Sequence, residues 1–414
     1  MFKKLIFLFT TIALTACGSD DNSMEVMEPV FAASQTYTIE LNGAQQVPNN
    51  RSDATATATL ELDETLNLFK ASLDLTNVAD VSAAHIHAGG IGMNGDVVYA
   101  FEQDDSGNYI VGETALTAML ASQFSSGDFY INVHTTAFPD GEVRGQIVNA
   151  NTTILTFSLS GQQEVPAVET TANGYAYASY DTASTLFKTT VRTSGVEDAT
   201  MAHIHTGRIG SNGDVLVALE QVSADVNIWT TPNNLTLDEE IFEVLASGGH
   251  YVNVHTPANP SGELRGQILT ANYVIAAFDL AGQQEVPAVS TTATGSGYAL
   301  IDTDTLSLEL KAVTSGVADA TMAHIHTGRI GMNGSVLVGL EQSMDDRNVW
   351  MTPADLSIDA DTFEVLASGG HYVNVHTPAN PSGELRGQIL TANYVIAAFD
   401  LAGQQEVPAV STTA

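Results

Sequence analysis

Between residues 36 and 149, apolar and polar residues alternate in short runs: Thr36–Leu41, Thr55–Leu62, Leu68–Leu75, Ala83–Ala88, Asp96–Phe101, Phe129–His134 and Glu142–Asn149. A period of two sends successive side chains to opposite faces, so each run reads as a strand with one face on a core. Asn94-Gly95 and Pro139-Asp140-Gly141 supply turn chemistry between runs. Seven strands in about 115 residues predict an all-β unit, an antiparallel β-sandwich or flattened Greek-key barrel of superoxide-dismutase-like or immunoglobulin-like type. One segment breaks the pattern. Thr236-Leu237-Asp238-Glu239 has capping-box form, Ile241, Val244 and Leu245 share a helical face, and Gly248-Gly249 follows. That predicts a turn or two of helix before the next strand.

The unit recurs. Gly43, Gly161 and Gly282 each lie 42 residues before a His-Ile-His (85−43, 203−161, 324−282), which sets periods of 118 and 121 residues (161−43, 282−161). Such a period is a domain, not a solenoid repeat. The predicted domains are 36–150, 151–271 and 272–392, with 393–414 restarting the unit around Gly403 and stopping after its first strand. A lone strand of that kind is expected to be poorly ordered unless it pairs with an edge. Phe242–Ala293 and Phe363–Ala414 are identical, so the second and third copies inform little about each other. The diverged first copy is the useful comparison, and it retains Ala-His-Ile-His, Asn-Val-His-Thr and the Arg-Gly-Gln-Ile block.

Histidine follows the repeat. Of eleven histidines, nine form three triads: His85, His87 and His134; His203, His205 and His255; His324, His326 and His376. Two histidines two apart share a strand face, and the third, on a neighbouring strand, can join them on one external patch. Three neutral imidazoles suit copper or zinc, one ion per domain, and are not a preferred set for calcium or magnesium. Asn132, Thr135 and Glu142 are the expected acceptors that would orient the rings. The alternative is that the rings bond those same groups and only tie the strands together. Arg144, Arg265 and Arg386 follow each third histidine by ten residues (144−134, 265−255, 386−376). Each reads either as a surface ion pair with Glu142, Glu263 or Glu384 on the same strand face, the favoured reading, or as an anion holder beside the triad. His250 and His371 are replaced by Phe129 in the first copy, which marks them as structural. Asn94-Gly95-Asp96 reads as a tight turn, since no loop carries the oxygen ladder of a calcium site. No Ser/His/Asp nucleophile set stands out.

Composition narrows the partners. The 414 residues include 48 acidic and 13 basic side chains, a formal net charge of −35, which argues against nucleic acid or anionic lipid as a binding partner. At the start, Lys3 and Lys4 precede an apolar run from Leu5 to Ala13 that is too short to span a membrane. Leu14-Thr15-Ala16-Cys17 follows and resembles the lipobox of bacterial lipoproteins; Cys17 is the chain's single cysteine, which excludes a disulfide within one chain. The resemblance implies a signal peptide over 1–16, lipidation of Cys17 and an acidic tether over 17–35. It also implies anchoring in a bacterial cell envelope, at the outer membrane or cell surface, with the membrane as one partner.

The blocks Gln-Gln-Val-Pro or Gln-Gln-Glu-Val-Pro, Ala-His-Ile-His, Tyr-x-Asn-Val-His-Thr and Gly-Glu-x-Arg-Gly-Gln-Ile, in that order, resemble the CHRD domain, named after chordin. The resemblance covers three complete copies and implies an extracellular or periplasmic β-domain, found in tandem in bacterial secreted proteins, acting as a binding module for an extracellular protein or small ligand. A fainter resemblance is to the copper side of the Cu/Zn superoxide dismutases, which implies copper on His85, His87 and His134 and an anion-guiding Arg144. Against that family's pattern, the chain lacks a bridging histidine, a zinc-ligand loop and disulfide cysteines. Three functions follow: a binding module with a metal patch, a superoxide-dismutase-like enzyme, or a structural and adhesive repeat without metal.

Overall fold

The computed structural model describes residues 30–390 apart from 117–119, 121–123, 125 and 271. The signal peptide, Cys17, most of the tether and the restarted unit at 393–414 lie outside the described residues. The first domain contains β1 (Gln35–Asn42), β2 (Thr55–Asp63), β3 (Leu68–Asp74), β4 (Val81–Ala88), β5 (Val97–Ala100), β6 (Glu102–Gln103), β7 (Tyr109–Ala115), β8 (Phe129–Thr135) and β9 (Val143–Gln146). They form one antiparallel sheet in the order β5-β4-β8-β9-β1-β2-β3-β7-β6. The two ends of that sheet are β5 and β6, which are separated in sequence by Phe101 alone. The sheet must therefore curl until its edges nearly meet, and the buried Phe101 plugs the seam. Sheets with the same strand order begin at Thr152 and at Tyr273, so the chain is three nearly closed all-β barrels in tandem.

Alternation builds each core. Along β1, Tyr37, Ile39 and Leu41 are buried, and along β4 and β8 Ile86, Ile131 and Val133 face the same interior, joined by Leu60 and Phe69. Burying side chains of this size removes roughly 1.5–3 kcal/mol each of apolar exposure, the main force closing the sheet. Closure also brings β9 hard against β1. A Cβ on Gly145 would lie 2.6 Å from Ile39 Cγ2 and 2.7 Å from the Glu40 carbonyl oxygen, which explains glycine inside the Arg-Gly-Gln block.

Seven of the nine strands match the alternating runs. The strands missed were β6, only two residues long, and β7, whose Ile110-Val111-Gly112 core does not alternate. The helix of the second domain spans Glu239–Ala246, with Leu245 fully buried. Its N-cap is Asp238, not the Thr236 of the capping-box pattern; Thr236 instead bridges to Leu186 and belongs to the preceding extended segment. Among the described residues, no helix is long and apolar enough to cross a membrane.

Candidate metal centre

β4 pairs with β8 in a register that sets His85 opposite Asn132 and His87 opposite Tyr130, while Ile86 meets Ile131 in the core. The outer face of the pair thus carries His85, His87, Tyr130, Asn132 and His134 together. The register repeats with His203 opposite Asn253 and His324 opposite Asn374. In each domain the three histidines converge, with one ligand atom from each lying within 4.8 Å of the others.

The tautomers follow from hydrogen bonds. His87 Nδ1 lies 2.9 Å from the Gly95 carbonyl oxygen and His134 Nδ1 lies 2.8 Å from that of Pro139. A carbonyl oxygen only accepts, so each Nδ1 carries the proton and each Nε2 keeps its lone pair. Both Nε2 atoms are buried without a hydrogen-bond partner, as is His85 Nδ1. In the second and third domains, His203 Nδ1 is 3.2 Å from His255 Nε2 and His324 Nδ1 is 3.0 Å from His376 Nε2. Zinc–nitrogen bonds of about 2.1 Å in tetrahedral array would place donor atoms roughly 3.4 Å apart. The donor set therefore fits a divalent metal: Nδ1 from the first histidine, Nε2 from the second and third.

Burial favours the neutral form of six of these rings: His85, His87, His203, His255, His324 and His376. Burial pulls His85 below the ordinary imidazole range, helped by His134, and burial does the same for His203, helped by His205. Burial also lowers His87 and His255, against the pull of their carbonyl partners.

The expected orienting groups are not those found. Carbonyls of Gly95 and Pro139 hold the rings, with Gly213, Pro260, Gly334 and Pro381 in the later domains. Glu263 acts one step back: it accepts from Thr256, Asn259 and Thr170, bracing the loop that presents Pro260. Glu384 takes Thr377 and Thr291 in the same way, and Glu142 takes Ser52. Asn132 accepts from Gln46 and donates to the Asp140 carbonyl rather than to a ring of the triad.

The arginines also depart from both readings. Arg144, Arg265 and Arg386 are 1%, 0% and 1% exposed, so none is a surface ion pair and none is open to an anion. The Arg144 guanidinium lies 3.5 Å from the centroid of Tyr130, whose ring also stacks with His87 at 4.8 Å. Because β8 lies between β4 and β9, the tyrosine is held between imidazole and guanidinium. Arg144 donates to the carbonyls of Gly90 and Met93 and to Asn94 Oδ1 and Gln146 Oε1. It thus ties down the 89–95 loop that delivers the Gly95 carbonyl to His87. Burial lowers its pKa to about 10, which still leaves it cationic at neutral pH.

Gln146 completes the clamp, its Nε2 donating to the carbonyls of Gly89, Gly127 and Phe129. A covering loop makes the external patch a half-buried one. Tyr130, Gln146 and the two carbonyls gave no sequence signal as parts of this site, beyond the repetition of Tyr-x-Asn-Val-His and Arg-Gly-Gln. His250 and His371 are buried beside the clamp, outside the triads.

The CHRD domain family model matches residues 37–147, 155–268 and 276–389. Chordin from Danio rerio is 31% identical over 158 residues, covering 35% of this chain and 17% of that protein. Chordin from Xenopus laevis is 31% identical over 157 residues, with the same coverage. The chain thus spans about a sixth of these curated relatives. No solved structure matches the chain.

Proposed function

This chain belongs to the CHRD family, and from that premise we propose that it is an array of three binding modules, each holding one copper or zinc ion on its histidine triad. The observation that carries the reading is the trio of convergent, unpaired nitrogens: His85 Nδ1, His87 Nε2 and His134 Nε2. Leaving the acceptors His87 Nε2 and His134 Nε2 buried without donors costs on the order of 1–3 kcal/mol each, which a bound cation would recover. The Nδ1–H partners of His87 and His134 fix those two rings as metal-ligating histidines are normally fixed. A metal held by three neutral imidazoles keeps its positive charge and an open position. On a chain of charge −35, that is a local contact point for a carboxylate or imidazole of an extracellular protein or small ligand. Arg144 lies under the 89–95 loop, so the superoxide-dismutase reading loses its anion guide. The Leu-Thr-Ala-Cys motif supports lipid attachment at Cys17 and a place in the cell envelope.

His134→Ala, His255→Ala and His376→Ala test the reading by zinc titration. Each is expected to remove one equivalent, and the triple variant all three, with the fold unchanged by circular dichroism. Unchanged uptake in the triple variant would overturn it.

A further inference from the structure

The junctions between domains repeat. At the first, Tyr177 donates to the Gln46 carbonyl and Thr190 to the Ile91 carbonyl at 2.7 Å, over an apolar seat of Val47, Ile91 and Tyr177. At the second, Tyr298 donates to the Glu164 carbonyl at 2.6 Å and Lys311 to the Gly210 carbonyl at 2.6 Å, over Ile209, Tyr298 and Leu300. Arg208 adds an ion pair to Glu309 at 3.3 Å. In both, the sheet of the following domain sits on the loop that Arg144 or Arg265 clamps.

The third domain carries the same loop, and none of the described residues sits on it. Ile91 and Ile209 are 6% and 4% exposed, whereas Ile330 is 57% exposed and Met332 beside it is 61%. A Cβ on Gly92 would strike Tyr177 and one on Gly210 would meet Tyr298, but one on Gly331 has no neighbour within 4 Å. Arg329, at the position of Arg208, makes no ion pair among the described residues. The opposite end differs in kind. The first domain has Thr59 and Ser72 where the second has Tyr177 and Thr190 and the third Tyr298 and Lys311, and a Lys70–Glu61 pair covers the same face. A polar face of that sort closes a repeat array. Among the described residues the array therefore has a direction, with a polar sheet face on the first domain and an uncovered loop on the third.

We propose that the face formed by Ile330, Met332 and Arg329 is a docking surface for the sheet of one further CHRD domain, seated as the third domain sits on the second. The occupant would present a tyrosine where Tyr298 stands, a lysine or threonine at the Lys311 position, and a glutamate for Arg329. Continuity with two occupied junctions argues for this partner. So does the sequence after the third domain, where Tyr394, Ile396 and Ala398 repeat the junction residues Tyr273, Ile275 and Ala277. A second copy of this chain offers only the polar sheet of its first domain, its other two sheets being occupied.

The test extends the full chain after Ala414 with a copy of residues 294–390, completing a fourth unit on the identical text of 394–414. Hydrogen exchange over residues 328–334 is expected to slow about tenfold or more, to the level of 207–213, and Ile330→Glu should reverse this. Unchanged exchange over 328–334 would overturn the proposal. So would a fourth domain that stayed unfolded although it carries the third domain's sequence. A concentration-dependent dimer of the unextended chain that Ile330→Glu dissolves would replace the proposed occupant with a second copy.

Discussion

Replacing Glu164 and Glu285 by glutamine should stabilise the second and third domains above neutral pH and erase a pH dependence that the first domain lacks. Both glutamates are buried, 4% and 7% exposed, at the position held by Gln46 in the first domain. There the Gln46 amide donates to Asn132 Oδ1 at 2.6 Å. In the second domain the Asn253 amide is used on the Ser261 carbonyl, leaving Asn253 Oδ1 and Glu164 Oε1 without partners. An ionised Glu164 has no proton to offer that oxygen; a protonated one does. Burial pushes both carboxyls up to about 7, against the pull of Arg265 on Glu164 and of Arg386 on Glu285.

A folded pKa above the unfolded one means that the folded state binds the extra proton. The stability is fully present below about 4.5 and is lost as pH rises through about 7. A shift from 4.5 to about 7 corresponds to about 3 kcal/mol per domain at about 1.4 kcal/mol per pH unit. Denaturant unfolding between pH 5 and pH 8, about three units of span, reads it directly. The wild-type chain should lose stability in its later domains across that range, and Glu164→Gln with Glu285→Gln should flatten the profile. Gln46→Glu should impose the same loss on the first domain. Equal slopes in wild type and double variant would mean that Glu164 and Glu285 do not take up a proton on folding.

Two further outcomes follow from the clamp and one from the triads. Arg144→Ala would strand the carbonyls of Gly90 and Met93 and uncover Tyr130, costing on the order of 2–4 kcal/mol and loosening the 89–95 loop. Hydrogen exchange over that loop should rise, and with it exchange at the Tyr177 and Thr190 seat of the second domain, while the third domain is unaffected. Gly95→Ala introduces a Cβ that would sit 1.5 Å from the Ala88 carbonyl oxygen, so the loop must move and His87 loses its Gly95 acceptor. Zinc uptake should fall by one equivalent without any ligand having been touched. Because burial lowers His85, His203 and His324, the unfolded state binds more protons in acid, and stability falls as pH drops below about 6.5. Zinc release monitored by a chromophoric chelator should follow the same direction, since protons and metal compete for the same nitrogens.

Much of this site was legible in the chain. His85 and His87 two apart, His134 on the next apolar-alternating run, and the same spacing in three copies place three rings on one face by periodicity alone. The environment of that face was not legible. Sequence distance pairs Arg144 with Glu142 as neighbours on a strand, yet the closing barrel turns the arginine under a loop 50 residues earlier, against Asn94 and Tyr130. Backbone carbonyls such as Gly95 and Pro139 carry no side-chain signature, so the groups that fix the tautomers were invisible. The fold itself followed from alternation wherever one face is buried, and failed at β6 and β7, where strands are short or lack that contrast. The Gln46 to Glu164 change was visible in the repeats, but its meaning needed the buried Asn132 and Asn253 beside it.

Elemental analysis of the intact chain decides whether each triad is a metal centre. The protein would be purified without a metal-binding tag after copper and zinc supplementation, then desalted. About three copper or zinc atoms per chain are expected, one per triad, each bound to nitrogen by X-ray absorption. A chain that retains no metal, and whose unfolding is unchanged by added zinc or copper, would contradict it.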